Sequence, residues 1–186
     1  MRVTKILNSD QELVARFLAV LGKGLVVASR NKVARPGFFV VAAQFMREYL
    51  EPGYLQKEEV LLKALEDCGF PPDSGPLGAM RAEHAKSQET SLILAEAAKA
   101  WKAGDEHGRA ESVWATSEYT GLMHRHFERL RTLINPLLEQ TVTEEGEQKI
   151  AAELNRLQFA GREDSAPEKY GRIVQMMEEE VSDWEG

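Results

Sequence analysis

Four long amphipathic segments, short links punctuated by proline and glycine, and weak strand signals predict an all-α chain. The expected architecture is an antiparallel up-down-up-down four-helix bundle with short C-terminal tail helices. The 186 residues suit one compact unit that buries roughly 70% of its unfolded surface. A composition of 43% hydrophobic and 28% charged residues supports a packed core rather than disorder.

The elements follow in order. Ser9 to Glu12 reads as an S-x-x-E capping box, and Leu13, Val14, Phe17, Leu18, Leu21 and Leu25 follow at helical spacing. A basic link, Arg30 to Arg35, leads through Pro36 into a helical segment over Phe38 to Cys68, closed by Gly69, Pro71 and Pro72. Pro52 and Gly53 predict a kink or break before Tyr54, because proline removes a donor and collides with the preceding turn. The strand-like composition of Val26-Val27 and Phe38 to Val41 leaves a short hairpin through the basic link as an alternative. Ser74, Gly75 and Pro76 open a third helix that runs to about Ala103 and is stopped by Gly104 and Asp105. A fourth runs from about Gly108 to Gln140, with a distortion expected at Pro136. Thr143 to Phe159 forms a tail helix, and a second capping box, Ser165 to Glu168, precedes another that ends near Val181. Residues 1–142 are thus expected to form the bundle and residues 143–186 an acidic helical extension packed on the same domain.

Charge and composition narrow the functional classes. The chain carries 23 basic and 30 acidic residues, and the extension holds all of the imbalance, with 12 acidic and 5 basic residues. Without a basic stripe there is no electrostatic footprint for nucleic acid. No apolar run reaches the roughly 18 to 20 residues that span a bilayer, and Met1 to Asp10 lacks a signal-peptide core, so no membrane role is expected. The single cysteine, Cys68, excludes an internal disulfide or a thiolate-held cluster, which suits a cytoplasmic protein.

Function in a bundle is expected where polar side chains interrupt an inward apolar stripe, since each one must find a partner or a metal. Leu77, Met80, His84, Ser91, Leu94, Ala98 and Trp101 place His84 inside. Tyr119, Met123, His126, Leu130, Leu133 and Leu137 do the same for His126. Leu61 and Leu65 extend back to Glu58 and Tyr54, and the first stripe extends back to Gln11. Together Gln11, Tyr54, Glu58, His84 and His126 suit a mononuclear iron, manganese or zinc site with an open position. Each also has a structural alternative. An inward histidine is commonly a hydrogen-bonded core residue, Tyr54 can point its hydroxyl at Gln11 or Glu58, and Glu58 can pair with a base at the rim while Glu59 turns inward. His107 is expected in a solvated loop, His124 facing away from His126, and Glu178 to Glu180 on a solvated acidic face.

Gly75-Pro76-Leu77-Gly78-Ala79-Met80-Arg81-Ala82-Glu83-His84 resembles the GPIGxMxxEH stretch of the bacterial hemerythrin-like, or HHE cation-binding, family. Phe45-Met46-Arg47, Lys57-Glu58-Glu59, Leu61-Leu62, His126-Phe127, Leu133 to Pro136 and Glu168-Lys169-Tyr170 agree in order with that family. The resemblance implies a bundle that holds two irons through histidines and HxxxE pairs and that binds dioxygen or nitric oxide, senses redox state or stores metal. Glu58, His84 and His126 stand at family ligand positions, whereas Gln11, Tyr54 and Leu130 replace a histidine, a histidine and a carboxylate. Pro167 and Gly171 also lack histidines often found there. The resemblance with these departures implies a degenerate, single-metal site, iron first, that binds or senses a small ligand without rapid turnover. A metal-free scaffold acting through a protein partner or a homodimer is the alternative, and an enzyme using Tyr54 beside a metal is a third reading.

Overall fold

The structure, a computed structural model, describes residues 7–30, 33–160 and 167–185, and all regular structure among them is helical. Helix α1 spans Asn8–Arg30 and α2 spans Pro36–Phe45, which passes into a π-helical stretch, Met46–Leu55, and then α3, Gln56–Asp67. After these come α4, Gly75–Lys102, and α5, Glu106–Arg129. A second π-helical stretch, Leu130–Ile134, leads into α6, Asn135–Thr141, followed by α7, Glu144–Ala160, and α8, Pro167–Glu185.

Proline explains both wide stretches. Pro36, Pro76 and Pro136 sit in the first turns of α2, α4 and α6, where a missing N–H costs nothing. Pro52 lies inside the first π-helical stretch, so the expected kink or break takes the form of a widened turn within a continuous helical path. The carbonyl four residues earlier, on Glu48, faces the Tyr170 hydroxyl of α8 at 3.5 Å. The expected distortion at Pro136 takes the form of the π-helical turn immediately before it.

Several local expectations are corrected. Val26-Val27 and Phe38 to Val41 are helical, not a hairpin, because burial of Val27, Phe38 and Phe39 on helical stripes overrides strand propensity. Residues 31 and 32 of the basic link lie outside the described residues. Ser9 is not a cap, since α1 already includes Asn8 and the Gln11 N–H donates to the Leu7 carbonyl. Ser165 and Ala166 of the second capping box lie outside the described residues. Helix α5 starts earlier than expected because Asp105 accepts the His107 N–H at 2.9 Å, which places exposed His107 in the first turn rather than a loop. Of the acidic run, Glu179 is exposed and accepts from Gln175 Nε2 at 2.9 Å, Glu178 pairs with Arg16 at 2.7 Å, and Glu180 is half-buried.

Long-range contacts set the relative directions. Gln11 meets Tyr54, Phe17 stacks on Phe45 at 4.2 Å, and Gly24 lies under Phe38, so α1 runs opposite to the α2–α3 path. That path runs opposite to α4, since Glu58 meets His84 and Glu51 meets Ser91. The most extensive interface joins α4 and α5. Helix α8 lies on α1 and α2, with Trp184 against Phe38 and Tyr170 against Tyr49, and α7 covers α3 with Ile150 and Leu154. Two apolar clusters result. One is centred on Phe17, Phe38, Phe45 and Tyr119, the other on Leu61, Leu62, Met80, Leu130 and Ile134. No helix of the described residues is long and apolar enough to cross a membrane.

Close approach at Gly108 gives a test of the α4–α5 interface. A Cβ there would lie 2.6 Å from the Trp101 backbone nitrogen and 2.7 Å from the Ala97 carbonyl oxygen, and backbone cannot rotate away. Gly108→Ala should therefore lower stability by about 1–3 kcal/mol in urea denaturation. Gly22→Ala, with nothing within 4 Å of the added carbon, should raise it by up to about 1 kcal/mol. Equal effects from the two changes would contradict this packing.

Candidate metal centre

Three helices meet at one carboxylate oxygen. Glu58 stands in the first turn of α3 and is fully buried, because the stripe that carries Leu61, Leu62 and Leu65 into the lower cluster continues back through it. His84 comes from the middle of α4 and His126 from the last turn of α5. His126 Nε2 lies 2.7 Å from Glu58 Oε2 and His84 Nε2 lies 3.0 Å from the same atom. The imidazole ring centres are 5.1 Å apart. Glu58 Oε1 is buried and has no hydrogen-bond partner among the described residues.

The surroundings are asymmetric. On one side Leu61, Leu62, Met80 and Leu130 form an apolar floor. On the other lies buried Tyr54, whose hydroxyl accepts a hydrogen bond from Gln11 Nε2 at 3.3 Å. Burial first, and then the charge of Glu58, holds the Tyr54 phenol well above its ordinary pKa, so it is a neutral hydroxyl here. All five residues expected from the sequence therefore gather in one region, with Glu58, His84 and His126 in direct contact and Tyr54 and Gln11 beside them. Leu130 is an interior wall residue, as its place on the stripe implied.

Two neighbours escaped the sequence reading. Glu83 Oε2 accepts from His126 Nδ1 at 3.1 Å, and its Oε1 accepts from Arg129 Nη2 at 3.0 Å. An acidic residue beside an inward histidine, opposite a His-x-x-Arg face on the next helix, was the available signal. Glu59 is the outward member of its pair, held by Arg81, which also reaches Glu66. His124 is exposed and hydrogen-bonds the Thr120 carbonyl at 2.7 Å, away from the cluster. Asp10, buried, binds the Tyr49 hydroxyl at 2.7 Å and Lys57 at 2.5 Å, tying α1 to the second helical path.

Protons hold the cluster together in this state. Burial disfavours charge on His126, but Glu58 and Glu83 outweigh it and push the imidazole up to about 9. Burial would likewise raise Glu58, but His126 and then His84 bring it down to about 2. The result is an imidazolium held between two carboxylates. The three ligand atoms lie within 4.8 Å of one another, and the buried Glu58, His84 and His126 group could hold a metal ion. Donors around a divalent ion at about 2.0–2.2 Å stand farther apart than these hydrogen bonds, so an ion would displace the bridging protons. Glu83 fits this use: a carboxylate on Nδ1 fixes the ring that presents Nε2. Comparison with protein-family models, with curated proteins and with solved structures gives no match.

The sign of the pH dependence follows from these shifts. His126 is raised from 6.5 to about 9, so its contribution is complete below about 6.5 and is lost as pH climbs through 9. Glu58 is lowered from 4.5 to about 2, so its contribution is present above 4.5 and is lost as pH falls through 2. Chelator-treated protein should be most stable near pH 4.5–6.5 and weaken towards pH 9. His126→Gln should flatten that alkaline decline and cost about 3 kcal/mol at pH 6, because Glu58 loses its charged partner. Unfolding curves with the same alkaline slope in both proteins would reject this assignment.

Proposed function

We propose that the chain is a hemerythrin-like, up-down-up-down four-helix bundle whose Glu58, His84 and His126 bind one transition-metal ion. One observation carries this reading: two imidazole nitrogens from two helices converge on a single buried carboxylate oxygen, with the second oxygen unbonded. Two imidazoles and one carboxylate form a facial set that suits iron(II) first, and manganese or zinc as alternatives. When bound, the ion would supply an open coordination position for a small ligand such as dioxygen or nitric oxide. Glu83 and Arg129 orient His126, Leu130 and Met80 keep one side dry, and Tyr54 offers a neutral hydroxyl on the other. The side chains of His84 and Glu83, at 13% and 12% exposure, give the centre a narrow opening to solvent between α4 and α5. On this reading the centre binds or senses its ligand rather than turning it over.

A second reading is a metal-free bundle that works through a protein partner. It is favoured by the bonding of His126 at both nitrogens, which leaves that ring without an unmet demand.

Metal analysis of protein purified without chelator, paired with thermal unfolding, separates the two. The metal-binding reading expects close to one equivalent of a transition metal, loss of most of it in His84→Ala, and a rise in melting temperature on adding Fe(II), Mn(II) or Zn(II) to stripped protein. Less than about a tenth of an equivalent, with no melting shift from any of the three ions, would establish the metal-free reading instead.

A further inference from the structure

Helix α7 meets α3 along one edge. Ile150 and Leu154 turn into the lower apolar cluster, and beside that seam the outer flanks of the two helices enclose a cleft of about 640 Å³. The cleft is lined on α3 from Gln56 to Cys68, and along α7 and the link before it from Val142 to Leu157. Cys68 Sγ lies 3.7 Å from the Thr141 carbonyl oxygen, so α7 begins where α3 ends and the two run antiparallel. The 12 residues of α3 make the cleft about 18 Å long, which leaves a mean cross-section of about 35 Å².

Its floor is apolar from end to end. Val142 stands at the Cys68 end, Ala64 and Ile150 near the middle, and Val60 and Leu157 towards Gln56. All but Ile150 are half-buried, so each leaves apolar surface open to the cleft. Charge is confined to the rim and is already balanced there. Lys63 pairs with Asp67 at 3.3 Å, Lys149 with Glu145 at 2.8 Å and Arg156 with Glu153 at 2.5 Å. The remaining carboxylate of the lining, Glu59, is held by Arg81.

These features select the guest. A helix, about 10–12 Å across with its side chains, is too wide for such a cross-section. An extended peptide would bury N–H and C=O groups against two helices whose own backbone groups are bonded internally, so it would find no partner for them. A charged head would have to displace a partner from one of the rim pairs, whereas hydroxyls bond to those pairs as they stand. An alkyl chain has no polar group to satisfy, and about 18 Å at about 1.3 Å per methylene holds roughly 14 carbons. We propose that the cleft between α3 and α7 binds a single-chain amphiphile with an uncharged, hydroxyl-bearing head, its alkyl chain laid along Val60, Ala64, Ile150 and Leu157 and its head at the ion-paired rim. The site lies on the flank of α3 that faces away from buried Glu58, and it does not depend on metal there.

Cys68, the one cysteine of the chain and exposed at the end of the cleft, reports occupancy. Dodecyl maltoside, added below its micelle concentration, should slow the reaction of the Cys68 thiol with a disulfide reagent and saturate at one molecule per chain in equilibrium dialysis. Each buried methylene tightens binding about fourfold, so octyl maltoside should bind on the order of 200-fold more weakly. Dodecanoate and dodecyltrimethylammonium should also bind more weakly than dodecyl maltoside. Ala64→Phe fills the middle of the cleft from a half-buried position and should abolish binding while melting like the wild type. Leu157→Asp provides a second variant, on the other helix, with the same expected loss. No protection of Cys68, undiminished binding by both variants, or tighter binding of either charged analogue would overturn the proposal. A concentration-dependent dimer that covers Cys68 with no amphiphile bound would assign the cleft to a second copy of the chain and overturn it as well.

Discussion

A carboxylate with no exposed surface, at the meeting point of three helices, constrains the rest of this molecule. Glu58 cannot keep its charge there unless positive or hydrogen-donating groups reach it from elsewhere, because the desolvation cost exceeds what the α3 backbone can offset. His126 and His84 supply those groups from α5 and α4, which fixes the axial register of both helices against α3. His126 then needs support at its far nitrogen, and Glu83 with Arg129 provides it. One buried charge thus propagates into a chain of four further residues.

Backbone wideness at two points makes the convergence compatible with the sequence. Helix α5 would meet Pro136 as a clash in a regular α-helix, and the second helical path would meet Pro52 in the same way. Both are absorbed by π-helical turns that sit next to the centre, Met46–Leu55 ahead of Glu58 and Leu130–Ile134 after His126. The added residue per turn shifts the following side chains around the axis, and such turns are frequent where side chains must be re-aimed. The Tyr170 hydroxyl near the Glu48 carbonyl, with its ring on Tyr49, shows the tail helix shielding the longer of the two.

Periodicity made much of this legible. Stripes of leucine, methionine and aromatic residues at three- and four-residue steps carried Glu58, His84, His126, Tyr54 and Gln11 inward, and a helix must turn such a stripe in one direction. Glu58 rather than Glu59 follows the stripe of Leu61, Leu62 and Leu65, and Arg81, on another helix, holds Glu59 outward. Glu83 was hidden for the same reason, since its partner His126 is 43 residues away. The capping box at Ser9 misled because the helix had begun a residue earlier, and Asp10 is occupied by Tyr49 and Lys57 rather than by backbone. Local rules read local geometry, and cross-helix charge pairing is invisible to them.

Protons and a metal ion would compete for the same lone pairs at this centre, and the charge around it decides how many ions it could hold. Leu130 brings no charge beside His126, so Glu58 and Glu83 are the carboxylates that must balance whatever cation is present. With one imidazolium and the Arg129 guanidinium that balance is complete, and a single divalent ion in place of the imidazolium proton would leave the net charge within about one unit of it. Two divalent ions would bring four positive charges to two carboxylates in a space floored by Leu61, Leu62, Met80 and Leu130, with no further carboxylate in contact with the cluster among the described residues. Charge balance in a low-dielectric interior therefore supports one ion and opposes a pair. The same reasoning makes occupancy depend on pH, with metal favoured as His126 gives up its proton and the proton-held cluster favoured below that point.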